Sequence, residues 1–126
     1  MSNTRQRLGR WGEAAAAAYL QSRGYIVLEQ NLRTPHGEID IVASQAGSQG
    51  SVVVFVEVKT RTSNRYGYPE ASITAAKQAH LLAAIQYYWQ QHPEVEQDWR
   101  VDVISIERPR SGGPATITHF ENALNA

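Results

Sequence analysis

His36-Gly37-Glu38-Ile39-Asp40-Ile41-Val42-Ala43 and Val52-Val53-Val54-Phe55-Val56-Glu57-Val58-Lys59-Thr60-Arg61 are the two stretches that decide how this chain folds. Alternate residues of a strand face the same way. Val53, Phe55, Glu57 and Lys59 therefore share one face of the second stretch, and Val52, Val54, Val56 and Val58 fill the other. A strand that is apolar on both faces is a central strand covered from both sides. Its first face nevertheless ends in a carboxylate and an ammonium. Charged groups are seldom set beside buried apolar ones unless they are paired or ligated.

The elements around these strands follow from periodicity and turn signals. Thr4–Arg23 reads as a helix, with Asn3 or Thr4 as its cap and Gly24 as its left-handed end. Leu8, Trp11, Ala15 and Tyr19 form its apolar stripe. Tyr25–Leu32, Glu38–Ala43 and Val52–Thr60 read as an antiparallel meander, with turns at Pro35-His36-Gly37 and Gly47–Gly50. A helix over Ala71–Gln91 and strands at Arg100–Ile106 and Thr116–Phe120 complete the order αβββαββ. A meander followed by a helical crossover predicts an α/β domain, a mixed sheet of about five strands flanked by helices. The 126 residues suit one such domain, 1–126.

Composition narrows the function classes. With no cysteine, disulfide frames and thiolate metal sites are excluded. The N-terminus has no signal-peptide core, and the run Ala14–Ala18 is too short to span a bilayer. Cytoplasmic residence without a membrane partner is the expectation. Net charge is zero, but its distribution is uneven. Arg5, Arg7 and Arg10 cluster without an acid, as do Lys59, Arg61 and Arg65, whereas Glu94, Glu96 and Asp98 gather elsewhere. A sided protein can bind a polyanion at zero net charge, although any single one of these arginines reads better as solvated surface.

The chemistry-bearing constellation is Asp40, Glu57 and Lys59 at the end of a covered sheet. Two carboxylates offer the oxygen ligands that Mg²⁺ (or Mn²⁺) prefers, and a lysine beside them can orient water or stabilise charge on phosphorus. The competing reading of the same residues is a salt-bridge network at a strand end. Glu38 shares a face with Asp40 and reads as a partner for Arg33 or Arg61. Lys77 falls on the core stripe Ile73–Lys77–Leu81–Ala84–Tyr88, where it either snorkels to the sheet edge or reaches the site and binds phosphate. Asp102 reads as a structural partner of a buried cation such as Lys77. No spacing supports a metal site on His36 or His80. Arg61, Arg65 and Tyr66 suit a loop touching a nucleic-acid backbone.

Gly37-Glu38-Ile39-Asp40 ahead of Glu57-Val58-Lys59 resembles the motif of the PD-(D/E)XK nuclease superfamily. With Gly9-Arg10-Trp11-Gly12-Glu13, Asn31-Leu32-Arg33, Phe55-Val56-Glu57-Val58-Lys59-Thr60-Arg61, Lys77 and Arg100-Val101-Asp102-Val103, the chain resembles, nearly end to end, the YraN family of endonuclease-like proteins, distant relatives of archaeal Holliday junction resolvases. That resemblance implies a restriction-endonuclease-like fold and Mg²⁺-dependent cleavage of DNA, with branched DNA and RNA as further substrates to consider. It implies Asp40 and Glu57 as metal ligands, Lys59 as the catalytic lysine and Glu13 as a further acidic ligand. On the helix alone Glu13 lies off the apolar stripe and reads as solvent-facing. Arg10, Arg61, Arg65 and Lys77 are the candidates for contacting nucleic acid. Pairing of two copies is compatible with the resemblance, with Trp89 or Trp99 at the interface. The alternative is a nuclease fold that binds nucleic acid without cutting it.

Overall fold

Among the described residues, two helices and five strands succeed one another as α1 (Thr4–Ser22), β1 (Ile26–Thr34), β2 (Gly37–Gly47), β3 (Gly50–Arg61), α2 (Ala75–Gln91), β4 (Asp98–Glu107) and β5 (Thr116–Phe120). The computed structural model describes residues 4–62, 70–93 and 97–124; Arg65 and Tyr66, expected at a nucleic-acid-binding loop, lie outside them. The strands form one sheet in the order β1-β2-β3-β4-β5. The pair β3/β4 is parallel and the other three are antiparallel. The parallel pair is the one joined through α2, because parallel neighbours need a crossover connection.

β3 is covered on both sides, as its two apolar faces require. Val53 and Phe55 join Ile73, Leu81, Ala84, Ile85 and Tyr88 on the α2 side. Val54 and Val56 join Ala16, Ala17, Leu20 and Tyr25 on the α1 side. α2 begins four residues later than its periodicity suggests, at Ala75. Thr74 keeps an extended backbone and its side chain accepts a hydrogen bond from the Lys77 N–H, the usual way a threonine starts a helix. Ile73, just before it, is buried in the core instead of continuing a helical turn.

α1 is rotated relative to its expected stripe. The residues it buries are Gly12, Ala16, Ala17 and Leu20, while Trp11, Ala15 and Tyr19 are only half-buried. Close approach explains this: a Cβ on Gly12 would collide with the Thr60 Oγ1. The sheet selects the small side chains of α1 and Leu20, not its aromatic ones. Glu13, expected to face solvent, is thereby carried to the rim of the sheet and is half-buried.

Candidate metal centre

The site begins with an irregularity in β2. Ile39 belongs to the core on the α2 side and Ile41 to that on the α1 side, so the alternation of faces breaks at Asp40. Pairing of β2 with β3 runs from Gly47↔Gly50 to Ile41↔Val56. Beyond that point the Val58 N–H donates to Asp40 Oδ2 at 2.8 Å. The aspartate thus replaces a rung of the ladder and holds its carboxylate between the two strands.

Opposite this break, between the pairs Gln30↔Ile41 and Leu32↔Ile39, Asn31 adopts a left-handed backbone with φ 53°. Asparagine is one of the few residues that visit this region routinely. Its side chain hydrogen-bonds Glu13. Asn31 was not among the residues expected at the site; an asparagine inside an otherwise regular strand is the signal that could have marked it.

Three carboxylates converge here. One ligand oxygen from each of Glu13, Glu38 and Asp40 lies within 4.8 Å of the others. Asp40 and Glu38 also line a cavity of about 270 Å³ with Gly37, Glu57, Lys77, His80 and Leu81. The fourth carboxylate, Glu57, is buried and its Oε1 lies 2.6 Å from Lys77 Nζ. Crowding shows in the electrostatics. Burial, then the Glu57 charge, push Asp40 up to about 7, against the hydrogen bond from Val58. Glu13 is also raised, by burial first and then by Glu38 and Glu57, against the hydrogen bond from Asn31. Lys77 is raised by its hydrogen bond to Glu57, against burial.

The structure therefore brings Asp40, Glu57, Glu13 and Lys77 to one place, and Glu38 with them. Glu38 lies 3.9 Å from Arg33 at an exposed position, a distance that adds little. Lys59 goes elsewhere. Its ammonium donates to the Ser72 carbonyl oxygen, and it lines a second cavity of about 140 Å³ with Thr60, Arg61, Glu70 and Ser105. Strand alternation puts Lys59 on the face of Glu57, but the strap leading into α2 captures its long side chain. Arg61 forms a 2.5 Å ion pair with Glu107, which places it at the same end of the sheet. Arg10 is exposed on α1. His80 lines the cavity with its Nδ1 3.2 Å from the His36 carbonyl oxygen, and neither histidine joins the carboxylate cluster.

Asp102 does not pair with Lys77. Its neighbours Val101 and Val103 face α2, so Asp102 faces the opposite side of the sheet from Lys77. It meets Arg100 Nε at 2.9 Å, His119 Nε2 at 2.7 Å and the Asn122 N–H at 2.9 Å.

Comparison with known proteins places this site within a family. The family described as "Uncharacterised protein family UPF0102" matches residues 12–106, from Gly12 beside Glu13 to Ile106 in β4. The chain belongs to the UPF0102 family, the YraN family that the sequence resembles. The UPF0102 protein of Syntrophotalea carbinolica is 42% identical over 125 residues, covering 99% of this chain and 97% of the relative. That of Moorella thermoacetica is 43% identical over 124 residues, covering 98% and 100%. That of Chlorobium chlorochromatii is 46% identical over 104 residues, covering 82% and 77%. Among solved structures, Pyrococcus furiosus SfsA in complex with Ca²⁺ matches with a TM-score of 0.38 and 13% identity. The match covers 98% of the UPF0102 chain and 66% of SfsA, just under two thirds of it. Among the described residues of the UPF0102 chain no helix is long and apolar enough to cross a membrane.

Proposed function

We propose that the chain is a Mg²⁺- or Mn²⁺-dependent endonuclease of restriction-endonuclease-like fold, hydrolysing phosphodiester bonds in DNA, branched DNA included. The observation that carries this reading is the meeting of Glu13, Glu38 and Asp40 within 4.8 Å, beside a buried Glu57.

The donor set fits a hard divalent cation: carboxylate oxygens only, with no thiolate in the chain. Glu38, Asp40 and Glu57 line the cavity against one ammonium, that of Lys77, among the described residues, and burial and then Glu57 hold Asp40 up at about 7. Asp40, Glu13 and Glu38 are the residues to hold the ion, with Glu57, the further expected ligand, beside them against Lys77. When bound, such an ion supplies Lewis-acid polarisation of a phosphoryl oxygen and a more acidic water.

The chain's own groups prepare the rest. The Val58 N–H fixes Asp40, and Asn31 steadies Glu13. Lys77 puts a cation against the carboxylates, where a phosphate would enter. Lys59, two residues beyond Glu57, acts as the catalytic lysine only by leaving the Ser72 carbonyl. Arg10, Arg61 and Arg65 supply sequence-independent contacts to the nucleic-acid backbone.

The test is cleavage of a panel of linear, flapped, branched and single-stranded DNA and RNA in Mg²⁺ and in Mn²⁺. Cleavage should fall at least about 100-fold in Asp40→Asn, in line with the loss of a group acting in the transition state. If the panel yields no cleavage that Asp40→Asn removes, the protein is not a nuclease. The second reading, a module that binds nucleic acid without cutting, is favoured by the capture of Lys59 on Ser72. It predicts DNA affinity unchanged by Asp40→Asn and indifferent to divalent ions.

A further inference from the structure

Lys77 and Glu57 form an unequal pair. The ammonium and carboxylate are 2.6 Å apart, yet the Glu57 side chain is 8% exposed and that of Lys77 57% exposed. The acid is locked in place by burial on β3, while the base reaches it from solvent at the first turn of α2. An ion pair open to solvent on its cationic side is screened and readily exchanged. A buried carboxylate left alone is costly. Lys77 can therefore leave cheaply, but only if another cation takes its place.

The cavity supplies the reason for another cation to come. Glu38, Asp40 and Glu57 line it, Glu13 clusters with Glu38 and Asp40 beside it, and among the described residues Lys77 is the only ammonium lining it. The other lysine of the chain, Lys59, is engaged by Ser72 and lies outside this cavity.

We propose that Lys77 is a resident counter-ion of Glu57 that is released when a divalent ion joins the carboxylates and then binds a phosphate group of the substrate. The inference rests on the metal-dependent reading above and adds an order to it: cation first, phosphate second. Glu57 exchanges one positive partner for another, and the freed ammonium, still tethered to α2 at the mouth of the cavity, becomes a phosphate contact of opposite charge.

The chain has only two lysines, so the experiment is direct. The full-length protein is labelled with ¹³C-lysine, and the two ¹³Cε–¹Hε resonances are assigned with Lys59→Arg. Mg²⁺ is titrated while its binding is followed by calorimetry. Inorganic phosphate is then added with and without Mg²⁺. The Lys77 resonance should move saturably with the calorimetric midpoint. It should move again with phosphate only when Mg²⁺ is present. In Glu57→Gln it should start displaced and no longer follow Mg²⁺. Binding of Mg²⁺ by calorimetry with a stationary Lys77 resonance overturns the inference and leaves the metal site standing. A Lys77 resonance that responds equally to phosphate without Mg²⁺ overturns the proposed order. No heat and no shift for Mg²⁺ removes the metal-dependent reading itself, and the inference with it.

Discussion

Asp40 carries two roles that pull against each other. Its Oδ2 accepts the Val58 N–H and closes the gap between β2 and β3, while its charge adds to a crowd of carboxylates. With its ionisation raised to about 7 by burial and then by Glu57, the folded protein holds this proton more tightly than the unfolded chain. The associated stability is present below pH 4 and is lost as pH rises through 7. In the metal-free protein this is worth about 4 kcal/mol, readable as a falling Tm between pH 4 and pH 8 in the presence of a chelator. Asp40→Asn still accepts from Val58 and should flatten that dependence; a profile that keeps its slope would place the titration elsewhere.

At the scale of elements, one junction decides whether the site assembles and a second clamps the opposite face of the sheet. The first is α1 against β3. Gly12→Ala puts a Cβ against Thr60, and overpacking of this kind costs about 1–3 kcal/mol. The helix must lift, taking Glu13 with it. We expect a lower denaturation midpoint and weaker Mn²⁺ affinity together, both partly recovered by Thr60→Ala. An unchanged midpoint in Gly12→Ala would show that the contact is loose. The second junction is β4 with β5, clamped by Asp102. Burial raises this acid, but hydrogen bonds from His119, Arg100 and the Asn122 backbone outweigh it and leave it lowered. Its stability is therefore present at neutral pH and lost as pH falls through the acid range. Asp102→Ala takes the buried carboxylate from Arg100 and His119, leaving Arg100 only its neutral partners Gln45 and Tyr25 and a distant Glu121, and should cost about 3–5 kcal/mol by chemical denaturation. Asp102→Asn should remove the corresponding part of the acid sensitivity.

For the whole molecule, the site and the fold are linked through one equilibrium. A ligand that binds only the folded chain stabilises it by about 2.7 kcal/mol at one hundred times its Kd. Mg²⁺ should raise the Tm of the wild-type protein in a concentration-dependent way, and less so in Asp40→Asn or Glu13→Gln. The variants separate a metal centre from a structural ion-pair cluster. If Asp40→Asn unfolds the metal-free protein and Mg²⁺ has no effect on the wild type, the cluster holds the sheet together and nothing more. The molecule also has two sides in the chemical sense. The carboxylate cavity and the Asp102 clamp lie on opposite faces of the sheet, so substitutions in one should add to those in the other.

Order and coverage of the elements follow from local rules. The meander, the crossover helix and the two-faced β3 could be read from Val52–Lys59 and the turn glycines, because strand periodicity and turn chemistry act over a few residues. The meeting of Asp40 with Glu57 could be read too, since hairpin-linked strands are neighbours. What tertiary structure alone decided is reach. Which lysine touches Glu57 depends on where the Ser72 strap and the first turn of α2 lie. That Glu13 enters the site depends on a helix turning its alanines and Gly12, not its tryptophan, to the sheet. The partner of Asp102 depends on which face each strand presents across the fold. Local pattern dictates the face a side chain leaves from; long-range packing dictates what it meets when it arrives.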